Sequence, residues 1–84
     1  MITVYTQPNC AACRYTKKYL AAHSVPYTEV DVSVNEEARH ELMQQGLTGL
    51  EMPVVKTAHG TWHGYNREKL KGLVALYEGE HHDA

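Results

Sequence analysis

Apolar and polar positions along the chain change their period several times. Ile2 to Thr6 is rich in β-branched and aromatic residues and is closed by Gln7-Pro8-Asn9, which predicts a buried strand and then a turn. From Ala11 to His23 good helix formers dominate. Cys13, Thr16, Leu20 and Ser24 recur there at helical spacing, which predicts a helix with these residues inward and Cys10 at its start. Val25 and Pro26 stop it. Tyr27 to Val32 alternates, with Thr28, Val30 and Val32 on one side and Tyr27, Glu29 and Asp31 on the other, as a second strand does. Ser33 followed three residues later by Glu36 forms a capping box. It opens a second helix through Ala38, Leu42 and Met43 that Gly46 ends.

Two further short runs, Pro53 to Thr57 and Thr61 to Tyr65, flank Ala58-His59-Gly60 and read as a hairpin, with Gly60 supplying the turn conformation. Asn66 then caps a last helix. Leu70, Leu73, Val74 and Tyr77 follow i, i+3, i+4, i+7 along it before Gly79 and a polar tail. The order βαβαββα, with a right-handed first crossover, predicts an α/β fold: a mixed four-stranded sheet with three helices. An 84-residue chain has room for one core, so we read residues 1–79 as a single domain and 80–84 as a tail.

Composition adds exclusions. Apolar residues make up 43% and charged residues 21%, with a formal net charge of -2, so no basic field is present to hold a phosphate backbone. The start, Met1 to Gln7, lacks a basic region followed by an apolar one, and no run approaches the roughly 18 apolar residues of a membrane span. These features predict a cytoplasmic protein that binds neither nucleic acid nor membrane, with a monomer as the default state.

The chain has two cysteines, Cys10 and Cys13, two residues apart. A bridge between them closes too small a loop to constrain the unfolded chain much, which weakens the reading of a structural staple. Redox chemistry and metal binding remain, and a CxxC directly after the first strand of a βαβ unit favours redox. Cys10, at the helix start, would be stabilised as the thiolate by unpaired N–H groups and the helix dipole. Cys13, one turn on and inward, would resolve a mixed disulfide formed on Cys10. Arg14, Lys17 and Lys18 add positive charge, or simply form a solvated basic face. The dipeptide Ala11-Ala12 leaves the potential undetermined.

A metal site is the competitor. His59 and His63 stand at HxxxH spacing, but Cys13 and His59 are separated by far more chain than the roughly 12 to 15 residues of a zinc finger, and a turn lies between the histidines. His23, His40, His81 and His82 read as exposed helix and tail positions. Met52-Pro53 opens the third strand, where a proline owes no ladder N–H and an ordinary trans bond is the simplest reading.

With these residues placed, the chain resembles the glutaredoxin family of the thioredoxin-like fold. Within it the likeness is to the NrdH-redoxins, small glutaredoxin-like proteins that behave functionally as thioredoxins. The likeness runs from the stretch Ile2 to Cys13 through Thr16-Lys17 and Met52 to Val55 to the segment Trp62-His63-Gly64-Tyr65. The glutathione-binding features of the wider family match poorly. Gln7 stands where a basic residue is common, and His63-Gly64-Tyr65-Asn66 stands where a Gly-Gly pair with an acidic partner precedes the last helix. Two departures from the NrdH pattern are Asn66-Arg67 in place of an Arg-Pro pair, and Ala11-Ala12 between the cysteines. His63, in place of a small residue, adds a titratable group.

The resemblance implies a cis Pro53 beside the active site, with the Met52 backbone pairing to an extended substrate strand next to Cys10. It also places Trp62, Gly64 and Tyr65, with Lys17, on a partner surface, although packing within the hairpin explains the aromatic residues equally well. The implied activity is a dithiol-disulfide oxidoreductase, with Cys10-Cys13 as the redox-active disulfide and no bound cofactor or metal. The implied acceptor is a class Ib ribonucleotide reductase, and the implied donor is NADPH through a flavin-dependent thioredoxin reductase. A glutathione- or mycothiol-dependent glutaredoxin is the first alternative. A non-catalytic metal or Fe–S domain using the two thiolates is the second.

Overall fold

The computed structural model describes residues 1–47 and 51–80. In chain order its elements are β1 (Thr3–Thr6), α1 (Ala11–Ala22), β2 (Thr28–Asp31), α2 (Glu36–Gln44), β3 (Val54–Thr57), β4 (Gly60–His63) and α3 (Arg67–Glu80). The strands form one sheet in the order β2-β1-β3-β4, with β1 parallel to β2, and β3 antiparallel to both β1 and β4. This is the thioredoxin-like arrangement.

Strand periodicity divides the core between the two faces of the sheet. Val4 lies opposite Val55, and both face α1 and α3, where they pack with Ile2, Leu20, Val25, Leu70, Leu73 and Val74. Tyr5 lies opposite Val54, and these point the other way, toward Ala38 and Leu42 of α2. The central strand β1 is thus buried on both sides, which explains why the adjacent Val4 and Tyr5, on opposite faces, are both buried. Leu20 and Leu70 are fully buried, each contributing roughly 1.5–3 kcal/mol of transfer free energy.

Several boundaries differ from the sequence expectation, each for a local reason. Ser24 is exposed and lies beyond α1 instead of on its inward face. Its φ of 55° ends the helix, while its N–H donates to the Ala21 carbonyl (3.0 Å) and the Val25 N–H to the Leu20 carbonyl (2.9 Å). That is a Schellman closure with Val25 and Leu20 meeting in the core, so the stop comes before Pro26. Ser33 does not cap α2. The Asp31 carboxylate takes both its N–H (2.9 Å) and its hydroxyl (2.6 Å), and Asn35 caps the helix by accepting from the Ala38 N–H at 2.9 Å. Met43 points outward, 57% exposed, since Ala38 and Leu42 already fill the space under α2. Gly46, with φ 71°, closes that helix.

The hairpin turns tightly at Ala58-His59, with Thr57 opposite Gly60. Strand β4 ends at His63 because Gly64 has φ 79°, so Tyr65 lies outside it. Asn66 caps α3 by accepting from the Lys69 N–H at 3.0 Å. Gly79 keeps helical backbone, so α3 runs on to Glu80, and residues 81–84, including His81 and His82, lie outside the described residues.

Candidate active site

The turn Gln7-Pro8-Asn9 aims the chain from β1 into α1, with Asn9 in the left-handed region (φ 59°), a conformation asparagine tolerates well. Cys10 follows as the N-cap of α1, extended at φ -115° and ψ 103°. Its side chain takes the place that a serine or aspartate oxygen usually takes at a helix start. The N–H of Cys13 donates to Cys10 Sγ at 3.1 Å. Cys10 is half-buried and Cys13 is 2% exposed, and the two are joined in a disulfide.

The other wall comes from the loop before β3. The Met52–Pro53 peptide is cis, and the Met52 carbonyl oxygen lies 3.7 Å from Cys10 Sγ. In the disulfide no S–H exists to donate, so this is a contact in the oxidised form and a possible hydrogen bond only once Cys10 carries a proton. Pro53 is buried, and its carbonyl accepts from the Gly64 N–H at 2.7 Å. Gly64 is itself buried against the segment before Pro53: a Cβ there would lie 3.2 Å from Glu51 Oε2. Cys10, Met52, Pro53 and Gly64 are therefore linked in one connected arrangement.

Other singled-out residues make contacts of their own. Trp62 lies opposite Val55 and packs against the α1/α3 core, and its indole Nε1 has no partner among the described residues. Lys17 is committed to β2: its ammonium lies 2.8 Å from Glu29 Oε2, which also accepts from the Thr6 hydroxyl at 3.0 Å. The Lys17 hydrogen bond, joined by that of Thr6, holds the Glu29 carboxyl below its ordinary range. The two hydrogen bonds from Ser33, hydroxyl and N–H, do the same for Asp31. His63 is exposed opposite Val54, and His59 Nε2 lies 3.2 Å from Glu80 Oε1. Among the described residues, no three His, Cys, Asp or Glu side chains converge as metal ligands would.

One exposed aromatic residue of α1 carries no expectation from the sequence. Tyr15, on the second turn of α1 and 58% exposed, meets Tyr65 edge to face with ring centroids 6.1 Å apart. An aromatic residue two positions after Cys13, off the buried helical stripe, was the available signal.

A reactive sulfur at a helix start, with its bonded partner buried one turn along, can exchange two electrons with an external dithiol or disulfide and needs no other group for it. On this fold, that makes the protein a thiol-disulfide oxidoreductase. Comparison with known proteins gives the family. The glutaredoxin family model matches residues 2–56, and the chain belongs to the glutaredoxin family. It is 35% identical over 77 residues to the Gene 56 protein of Mycobacterium phage L5, covering 90% of this chain and 74% of that one. It is 26% identical over 74 residues to the glutaredoxin-like protein NrdH of Lactococcus lactis subsp. cremoris, covering 88% of this chain and all of the other. Among solved structures it superposes on the NrdH-redoxin of Escherichia coli, described as having a thioredoxin-like activity profile. That match has a TM-score of 0.78 and 28% identity, covering 86% of this chain and 92% of that one.

Proposed function

We propose that the protein reduces protein disulfides as an NrdH-type redoxin, with Cys10 as nucleophile and Cys13 as resolving thiol. The observation that carries this reading is the Cys10-Cys13 disulfide at the start of α1, where the Cys13 N–H points at Cys10 Sγ. In the reduced protein the same N–H and the helix dipole favour the Cys10 thiolate. That thiolate attacks one sulfur of the target disulfide, forming a mixed disulfide and expelling the first target thiolate. Cys13, deprotonated, attacks Cys10 Sγ, forms the internal disulfide and releases the second target thiolate. The target gains two electrons and the redoxin loses them.

An extended target segment would align along Met52, whose carbonyl already faces Cys10. The chemistry resides in the two sulfurs and calls for no bound cofactor. Likeness to NrdH proteins supports a class Ib ribonucleotide reductase as acceptor and NADPH, through a flavin-dependent thioredoxin reductase, as donor. We place the protein in the cytoplasm as a monomer. No described helix is long and apolar enough to cross a membrane.

The test is to supply oxidised protein with NADPH and either thioredoxin reductase, or glutathione with glutathione reductase, and to follow NADPH oxidation in the presence of a protein disulfide. Turnover with thioredoxin reductase is expected. Turnover with glutathione alone would replace this reading with a glutathione-dependent one.

A further inference from the structure

Resting on the redoxin reading above, we infer that Tyr15 is a specificity-determining residue, forming with Tyr65 an aromatic wall that selects targets carrying an aromatic side chain beside the attacked disulfide. The exposed large apolar side chains of the described molecule are mostly scattered. Val34 and Met43 belong to the α2 side, and Met1 and Leu76 line a groove with Pro26 and Thr57, at the opposite end of β3 from Pro53. Tyr15 and Tyr65, 58% and 43% exposed, are the exposed large apolar pair in mutual ring contact, and each follows closely in sequence on a residue of the redox centre, Tyr15 on Cys13 and Tyr65 on Gly64.

Their placement follows from the elements that build the site. Tyr15 stands on α1, the helix that Cys10 caps, and Tyr65 follows Gly64, whose N–H is fixed to the Pro53 carbonyl. A target disulfide can reach Cys10 only from outside, because Cys13 is buried beneath it and Met52 closes one flank. For a segment that docks over Cys10, the exposed rings carried by the same two parts of the chain, α1 and the stretch tied to Pro53 through Gly64, are the aromatic surface on offer. The edge-to-face contact orients both rings while leaving about half of each open, so an incoming ring adds to a formed pair at small entropic cost.

The test uses dithiothreitol-reduced, desalted protein as the sole reductant in single-turnover reactions. The substrates are two disulfide peptides of equal length and charge, one with Phe and one with Ser beside a cysteine. The readout is the ratio of the two second-order rate constants, which a general loss of active or folded protein leaves unchanged. An aromatic contact of about 0.5–1.5 kcal/mol corresponds to a ratio of roughly two to ten in favour of the Phe peptide. Wild type and Tyr15→Phe are expected to show that preference, and Tyr15→Ala to lower it at least about two-fold. A wild-type ratio near one, or an unchanged ratio in Tyr15→Ala, would overturn the inference and leave the redoxin reading standing. Failure of wild type to reduce either peptide would overturn both.

Discussion

The backbone N–H of Cys13 donates to the sulfur of Cys10 across 3.1 Å, so the residue that would resolve the reaction also stabilises the sulfur that would begin it. The two thiols differ in access as well: Cys10 is half-buried, whereas Cys13 is 2% exposed. In the reduced protein, limited iodoacetamide is expected to alkylate Cys10 and to spare Cys13, read by peptide mass spectrometry. In the same way, Cys13→Ser should accumulate a mixed disulfide through Cys10, and Cys10→Ser should accumulate none. Equal alkylation of both cysteines would mean that the helix start does not set their reactivity.

Gly64 should disfavour any side chain. Its φ of 79° costs an L-residue about 1–2 kcal/mol, and an added Cβ would also press on Glu51 Oε2 at 3.2 Å. Gly64→Ala is therefore expected to destabilise the fold by at least about that amount in urea unfolding. Adding Glu51→Ala should return only the contact part, because the backbone strain remains. Gly72 offers the opposite case, since a Cβ there meets nothing within 4 Å and the position is helical. Gly72→Ala should stabilise by about 0.5–1 kcal/mol.

The contrast between these glycines shows what the sequence could and could not disclose. The alternation of Val4 with Tyr5 and the 3.6-residue spacing of Leu70, Leu73 and Val74 locate the elements, because burial on a face imposes a period. The cysteine pair is legible because its chemistry depends on residues close in sequence and on one helix start. What escapes is pairing across the chain. Glu51 against Gly64, Lys17 against Glu29 and Tyr15 against Tyr65 join segments whose approach is set by the packed sheet, not by local pattern. The missed cap is a subtler case: Ser33 and Asn35 are both good capping residues, and only the Asp31 carboxylate's hold on Ser33 decides between them.

That choice of cap can be tested directly. Asn35 Oδ1 satisfies the Ala38 N–H at 2.9 Å, and Glu36 and Glu37 in the first turn complement the helix dipole. Asn35→Ala should cost about 1 kcal/mol, the usual value of a lost N-cap, measured as a shift of the urea midpoint at constant slope. Ser33→Ala removes an exposed hydroxyl bonded to Asp31 and should cost less. A larger loss from Ser33→Ala would restore Ser33 as the organising residue of this turn.

The Lys17–Glu29 pair gives the fold a defined acid dependence. Hydrogen bonding by Lys17 is the largest cause of the lowered Glu29 carboxyl, with the Thr6 hydroxyl acting in the same direction against some desolvation. A carboxyl that is more acidic folded than unfolded contributes stability that is present above its ordinary value of 4.5 and is lost as pH falls through its lowered folded value. Both side chains are partly exposed, at 28% and 41%, so the contribution is that of a screened surface pair, no more than about 1 kcal/mol. Lys17→Ala should therefore lower stability slightly at neutral pH and leave the Thr6 share in place. The gap between wild type and variant should close on acidification as Glu29 protonates, and should narrow with added salt at neutral pH. Urea midpoints for the two proteins across that acid range provide the measurement, and a gap that stays constant with pH would show that Lys17 acts through packing of its aliphatic stem and not through its charge.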